Sequence, residues 1–300
     1  MQTSRSNRRA LAGVLGGAVI VGFAGCTAPA RIVSPQAPPQ SAAEISLDRL
    51  EQRYFNEMLA LTPVAATALG EHRFDALLDD ASPEGFAHRA ALAAELSAQL
   101  AAIDATQLSR AHQVDLQLLR AELEKQQWRI NQLQQWRWDP LLYTALAGNS
   151  VYTLMARDFA PLQARLLSVT ARLSELTRLL AQVRQSLDPA RVPPIHARTA
   201  IEQNNGVLQL ITELVTPAVN TLPAEQQANL KSAIAHARAA IAQHQIWLEK
   251  KLLPAAHGDF RLGAALYDSE LHYALGSSLS RAEIRTRADA ELGRTRVRMY

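Results

Sequence analysis

The chain is predicted to be all-α, a bundle of long antiparallel helices, and three observations carry that prediction. Alanine, leucine, glutamine and arginine dominate a 300-residue sequence with only 13 glycines, a composition of helix formers. Leu162, Leu166, Val169, Leu173, Leu176, Leu180, Val183 and Leu187 recur in steps of four and three, which is the stripe of one helix face. Capping residues and prolines punctuate the other periodic stretches at helix-length intervals.

The first element is a targeting segment. Arg5, Arg8 and Arg9 make a positive start, Leu11 to Phe23 is a short apolar run, and Ala24-Gly25 precede Cys26, the only cysteine. About thirteen apolar residues rise roughly 20 Å as a helix, short of a hydrocarbon core of roughly 30 Å. The segment therefore reads as a cleaved export signal and not as an anchor. The small residues before Cys26 predict cleavage between Gly25 and Cys26 and lipidation of Cys26, a stable membrane attachment. Thr27, where Asp would retain the protein at the inner membrane, points to the outer membrane, facing the periplasm. Arg8-Arg9 also fits a twin-arginine export signal, although a plain positive start is the simpler reading. The net charge of +3 is carried by the three signal arginines, so the mature chain is neutral. No basic patch with interleaved aromatics remains, and nucleic acid is not an expected partner. With Cys26 acylated, no thiol is left for a disulfide or a Cys-ligated metal.

Thr27 to Ala43 carries Pro29, Pro35, Pro38 and Pro39 and reads as a tether reaching at most roughly 55 Å. Ser41 with Glu44 forms a capping box for a helix to Leu61, broken by Thr62-Pro63 and Gly70. Ser82-Pro83 opens a helix to Ile103. A turn follows at Asp104 to Ser109, then a helix from Arg110 to Gln134. Trp136 to Asn149 holds Trp136, Trp138, Asp139-Pro140, Tyr143 and Gly148 without a long period. It reads as an irregular connection, either core packing under a loop or one wall of a binding cleft. The heptad stripe predicts a helix over Ala160 to Leu187 packed on the next two helices, with Arg165, Arg172, Glu175, Arg178 and Gln182 off the stripe. An intermolecular coiled coil is the alternative. Helices are expected from Ile195 to Val215, from Pro223 to Leu253 and from Leu262 to Leu275. A second capping box, Ser280 with Glu283, opens a last helix running to Tyr300 without a stop signal, which suggests the front part of something longer.

Motifs for chemistry are sparse. None of the eight histidines stands in His-Glu-x-x-His, so no metal ligand is assigned. His236 and His244 are read as solvated or partner-facing. There is no Gly-x-Ser-x-Gly elbow and no phosphate-binding glycine loop. Glu122, Glu124 and Lys125 read as a solvated face. His72, Arg73 and Asp75 form a polar cluster in a loop held by side-chain to backbone hydrogen bonds.

Four segments together carry a resemblance. Asn56 to Asp75 reads Asn-Glu-Met-Leu-Ala-Leu-Thr-Pro-Val-Ala-Ala-Thr-Ala-Leu-Gly-Glu-His-Arg-Phe-Asp. Trp138-Asp139-Pro140 is followed by Tyr143, and Gly258-Asp259-Phe260-Arg261-Leu262-Gly263 leads to Tyr267. Leu279-Ser280-Arg281-Ala282-Glu283-Ile284 comes last. In that order they resemble the bacterial domain-of-unknown-function 885 (DUF885) family, over roughly Asp48 to Tyr300. The resemblance implies the N-terminal half of a zincin-like helical metallopeptidase about twice as long. The family's His-Glu and Pro-Gly-His signature lies in its second half, so no cofactor is expected in this chain and zinc only in a full-length form. The expected function is a peptidase-like hydrolase lacking its metal half. The alternative is a non-catalytic periplasmic lipoprotein that binds a peptide or protein partner. Substrate contact is offered for His72, Arg73 and Tyr143. A half-domain would expose an apolar face and associate through it.

Overall fold

The computed structural model describes residues 40–300. The signal segment, Gly25, Cys26 and the tether to Pro39 lie outside the described residues. Among the described residues the chain is helical and no strand occurs, and no helix is long and apolar enough to cross a membrane.

Two hydrophobic cores organise the molecule. The first begins at Ser41, whose side chain accepts from Glu44 N while the Glu44 carboxylate accepts from Ser41 N. This reciprocal cap starts α1 (Ala42–Arg53). The helix widens into a π turn at Tyr54–Met58 and ends in α2 (Leu59–Leu61). Thr62-Pro63 stops it as expected, but Pro63 also starts a helix the sequence reading missed, α3 (Pro63–Leu69). Proline suits a first helical turn, where its fixed φ costs nothing, and Gly70 closes α3 at φ +92°. Ser82 caps α4 (Pro83–Ala101) by accepting from Gly85 N. Ser109 caps α5 (Arg110–Trp128), which passes into a second π turn, Arg129–Leu133. Arg120 donates to Leu100 O and Gln127 to Ala93 O, so α4 and α5 run antiparallel. Leu47 of α1, Leu96 and Leu100 of α4, and Leu116 and Leu123 of α5 form the core between them.

The stretch from Trp136 to Asn149 is not irregular. Gln134, at φ +50°, separates α6 (Gln135–Trp138) from the π turn, and α7 (Pro140–Met155) follows at once. Asp139 accepts from Leu141 N at 3.1 Å, so Asp139-Pro140 is a helix start, an N-cap with proline at the first position.

The second core lies among α7, α8 (Leu162–Ser186), α9 (Pro194–Leu210) and α10 (Ala224–Trp247). After α10 come a π turn at Leu248–Leu252 and the short α11 (Leu253–Ala255). Arg172 donates to Ser150 O and Arg165 to Leu154 O, which sets α7 and α8 antiparallel. Asn204 meets Ile241 while Arg238 meets Thr212, which does the same for α9 and α10. Sequence neighbours thus alternate in direction, as expected. The most extensive packing, however, joins α8 to α10 and α7 to α9. These pairs run in the same sense: Gln163 and Gln226, each near the start of its helix, are hydrogen-bonded at 3.0 Å.

One addition and one correction come from this core. Arg165 and Arg172 lie off the leucine stripe and are nonetheless buried: with Leu179 and Ser186 they form a second buried row at seven-residue spacing. His244 is likewise buried, stacked on Trp247 with ring centroids 5.5 Å apart, whereas His236 is exposed.

The last helices are α12 (Gly263–Leu275) and α13 (Arg281–Met299), and no residue of either is buried. Ser280 and Glu283 form the expected capping box. The segment before α12 is pinned at Gly258, whose N–H donates to Val192 O at 2.9 Å. A Cβ there would stand 1.9 Å from Arg191 O.

Candidate binding cleft

Where the two cores meet, the helix ends leave a cleft of about 350 Å³. Both N-terminal π turns border it. Tyr54 and Met58 come from the first, Arg129 and Ile130 from the second, and Phe86 and Arg89 from α4. Trp136 and Leu142 close the far side. A π turn takes one residue more per turn than an α-helix and is frequent at functional sites. Gln134 lies next to the cleft in a left-handed conformation unusual for a residue with a Cβ.

The walls are mostly apolar and the floor is aromatic. Phe86 stacks on Trp136 at 5.0 Å between centroids, and the Arg89 guanidinium lies 4.2 Å from the Phe86 centroid. The Trp136 ring N–H donates to Ile130 O at 3.0 Å, which fixes the indole. Tyr54 is partly buried, and its hydroxyl accepts from Gln126 at 3.1 Å. Its pKa is raised by burial first and by the nearby Glu122 second. Trp136 packs against the second core and also lines the cleft, so it has a part in both readings of its segment.

The residues offered as substrate contacts do not converge on this cleft. Tyr143 is 1% exposed, and its hydroxyl donates to Trp136 O at 2.6 Å. Burial pushes its pKa up, and its role is to brace α6 on α7. His72 pairs with Asp75 at 3.0 Å and stacks on Phe159 at 3.8 Å between centroids. Asp75 also accepts from Thr67 at 2.6 Å. Arg73 is exposed, held by Asn56 and Glu71 at 2.9 Å each. The loop is thus held chiefly by side-chain to side-chain bonds where side-chain to backbone bonds were expected, and of the latter kind there is the Arg73 backbone N–H donating to Glu71 at 2.9 Å. The residues that were missed are Phe86 and Arg89. A signal existed: Phe86, Arg89, Ala93, Leu96 and Leu100 follow three-and-four spacing, so Arg89 occupies a core position of the stripe.

The histidines are spread over separate places. His112 sits between Glu44 at 3.1 Å and Asp48 at 3.2 Å and ties α5 to α1. His196 lies 3.2 Å from Asp139. Among the described residues no three His, Cys, Asp or Glu side chains are grouped to hold a metal ion.

No curated protein matches the chain. A solved structure from Shewanella oneidensis, provisionally named a lipoprotein of unknown function, aligns with a TM-score of 0.75 at 23% identity. The alignment covers 83% of this chain and 46% of that one, so the chain spans under half the length of that neighbour. At this identity the likeness establishes the helical fold. The profile of the family described as bacterial protein of unknown function (DUF885) matches residues 63–300. With most of its length matched and the order of its helices in place, the chain belongs to the DUF885 family.

Proposed function

We propose that the protein is exported, lipid-anchored through Cys26 to the outer membrane facing the periplasm, and supplies the helical wall of a ligand cleft in a longer, peptidase-like hydrolase. The observation that carries this reading is the cleft between the two cores, bordered by two π turns and floored by stacked aromatics. The envelope location is supported by the signal segment and by the name of the Shewanella neighbour. The longer form is supported by the 46% coverage of that neighbour.

The described residues do not fit the zinc that the family resemblance implies, since no three ligating side chains are grouped. Zinc is proposed only for residues of a full-length form, and no catalytic step is derived through it. This chain binds and orients. The Phe86–Trp136 stack gives rigid apolar edges, and apolar walls strip water from a ligand side chain. The exposed apolar residues of the last helices, among them Tyr267, Leu275, Leu292 and Val297, are the face that the rest of the longer protein covers.

The test is peptide hydrolysis by the protein purified from its native envelope. The expected result is chelator-sensitive cleavage, with KM raised about tenfold when Leu142→Trp fills the cleft from its wall. Saturable peptide binding without cleavage would replace this reading by the non-catalytic lipoprotein that captures a peptide. Cleavage with KM unchanged in Leu142→Trp would place the ligand elsewhere.

A further inference from the structure

Arg89 stands alone among the charged groups of the cleft. Its side chain is nine-tenths buried, at 9% exposure. Its one hydrogen bond among the described residues runs from Nη1 to Leu61 O at 3.4 Å, which is long for a charged donor. The other cleft ions are paired, Glu122 with Lys125 and Arg129 with Glu270. Asp79 and Asp80 act on Arg89 by charge without forming an ion pair with it, and each spends one oxygen on other donors. Asp79 accepts from Val64 N at 3.1 Å, and Asp80 from Ser82 N and Gln182. Burial lowers the Arg89 pKa, with Asp79 opposing most strongly. A guanidinium brings five donors, and a desolvated one with so few partners is costly unless an anion completes it.

What surrounds Arg89 narrows the anion. Phe86 is held between the Arg89 guanidinium, 4.2 Å from its centroid, and Trp136, over which Arg137 lies at 5.6 Å, so a ligand reaching Arg89 meets the edges of the aromatic stack. Met58, Leu59, Ile130 and Leu142 supply the apolar walls. Gln126 directs its amide N–H groups to Tyr54 and Glu122, and Gln135 directs its own to Asp139. Their carbonyl oxygens are left to accept from peptide N–H groups. A volume of about 350 Å³ is at the small end of ligand sites, which suits one or two side chains.

We propose that Arg89 is the anchor for the terminal carboxylate of a short apolar or aromatic peptide, whose side chains rest between the apolar walls and the edges of the Phe86–Trp136 stack. The proposal rests on the cleft being a ligand site, as argued above, and adds the class of ligand and the residue that selects it. Arg and carboxylate meet as a planar fork, so the anchor distinguishes a free acid from its amide by geometry as well as charge.

The experiment is calorimetric titration of the full chain with N-acetyl-Leu-Phe, with its C-terminal amide, and with decanoate. Four proteins are compared: the unaltered chain, Arg89→Met, Arg89→Lys and Ala65→Trp. Ala65 lines the cleft and is exposed, so tryptophan there blocks the mouth without touching Arg89. The expected result is an acid bound at least about tenfold more tightly than its amide, the scale of one charged hydrogen-bond pair. That ratio falls to about one in Arg89→Met and lies between in Arg89→Lys, and Ala65→Trp weakens acid and amide alike. Equal binding of acid and amide, both lost in Ala65→Trp, would overturn the anchor and leave the cleft standing. Decanoate bound as tightly as the peptide acid, with the same Arg89 dependence, would overturn the peptide and assign the carboxylate to a fatty acid. Binding of no probe would remove the cleft reading and the anchor together. Circular dichroism checks that each variant folds. If Arg89→Met does not, the acid-to-amide ratios of the unaltered chain and Arg89→Lys decide.

Discussion

Arg172 and His244 show how much of the stability sits in buried polar side chains. Arg172 is fully buried, yet its donors reach Leu77 O, Ser150 O, Pro63 O and Thr67 Oγ1 at 2.7–3.2 Å. It thereby bolts α3 and α7 to α8, and burial lowers its pKa to about 10, so it stays charged at neutral pH. His244 is the opposite case. Burial, with Arg184 nearby, pushes its pKa down to about 3, and its Nδ1 has no partner. An unfolded histidine takes up a proton below about pH 6.5, whereas the folded one does so only near pH 3. Across that window the unfolded state binds more protons, so stability falls as pH falls. By pH 4.5 the expected loss is about 2–3 kcal/mol relative to pH 7.5, and His244→Leu removes it. Urea midpoints of both proteins at the two pH values measure this, and an identical pH-dependent loss in the variant would exclude His244 as its source. These residues were hard to read in the sequence because an arginine or histidine at a stripe edge looks the same whether it faces water or a bundle interior. The row Arg165, Arg172, Leu179, Ser186 became a buried face only once α7 and α3 packed against it.

At the scale of elements, local chemistry was largely legible and packing was not. Both capping boxes, the Ser82-Pro83 start and the heptad stripe gave helices where the spacing placed them. The misreadings fell where one proline has two meanings. Pro63 ends α2 and begins α3, and Asp139-Pro140 begins α7 inside a stretch that reads as an irregular connection. The π turns left no sequence mark, because they answer to how helix ends meet rather than to propensity. Gly258 offers an element-scale test. Its backbone lies against Arg191 and Val192, and a Cβ would fall 1.9 Å from a backbone oxygen that cannot swing aside. Gly258→Ala is expected to cost about 2–3 kcal/mol and to speed hydrogen exchange in the segment leading into α12. Unchanged melting and exchange would mean that α12 does not depend on this contact.

For the whole molecule, the all-helical fold and the family were legible from composition, periodicity and four ordered segments. The cleft was only half legible. Trp136 stands in a stretch that reads as a possible wall, but Arg89 and Phe86 lie in an ordinary helical stripe, while His72, Arg73 and Tyr143 hold a loop and a helix junction. A cleft formed between two cores depends on residues far apart in sequence, and no single stretch announces it. The exposed α12 and α13 carry apolar side chains without a core of their own, which suits helices covered by further chain. The most direct measurement is the intact mass of the protein extracted from the envelope of its native cells. The expected species begins at a diacylglyceryl-modified Cys26 and weighs well above the 32.8 kDa of these 300 residues. An unmodified Cys26, or a lipidated species no heavier than those 300 residues, would contradict it.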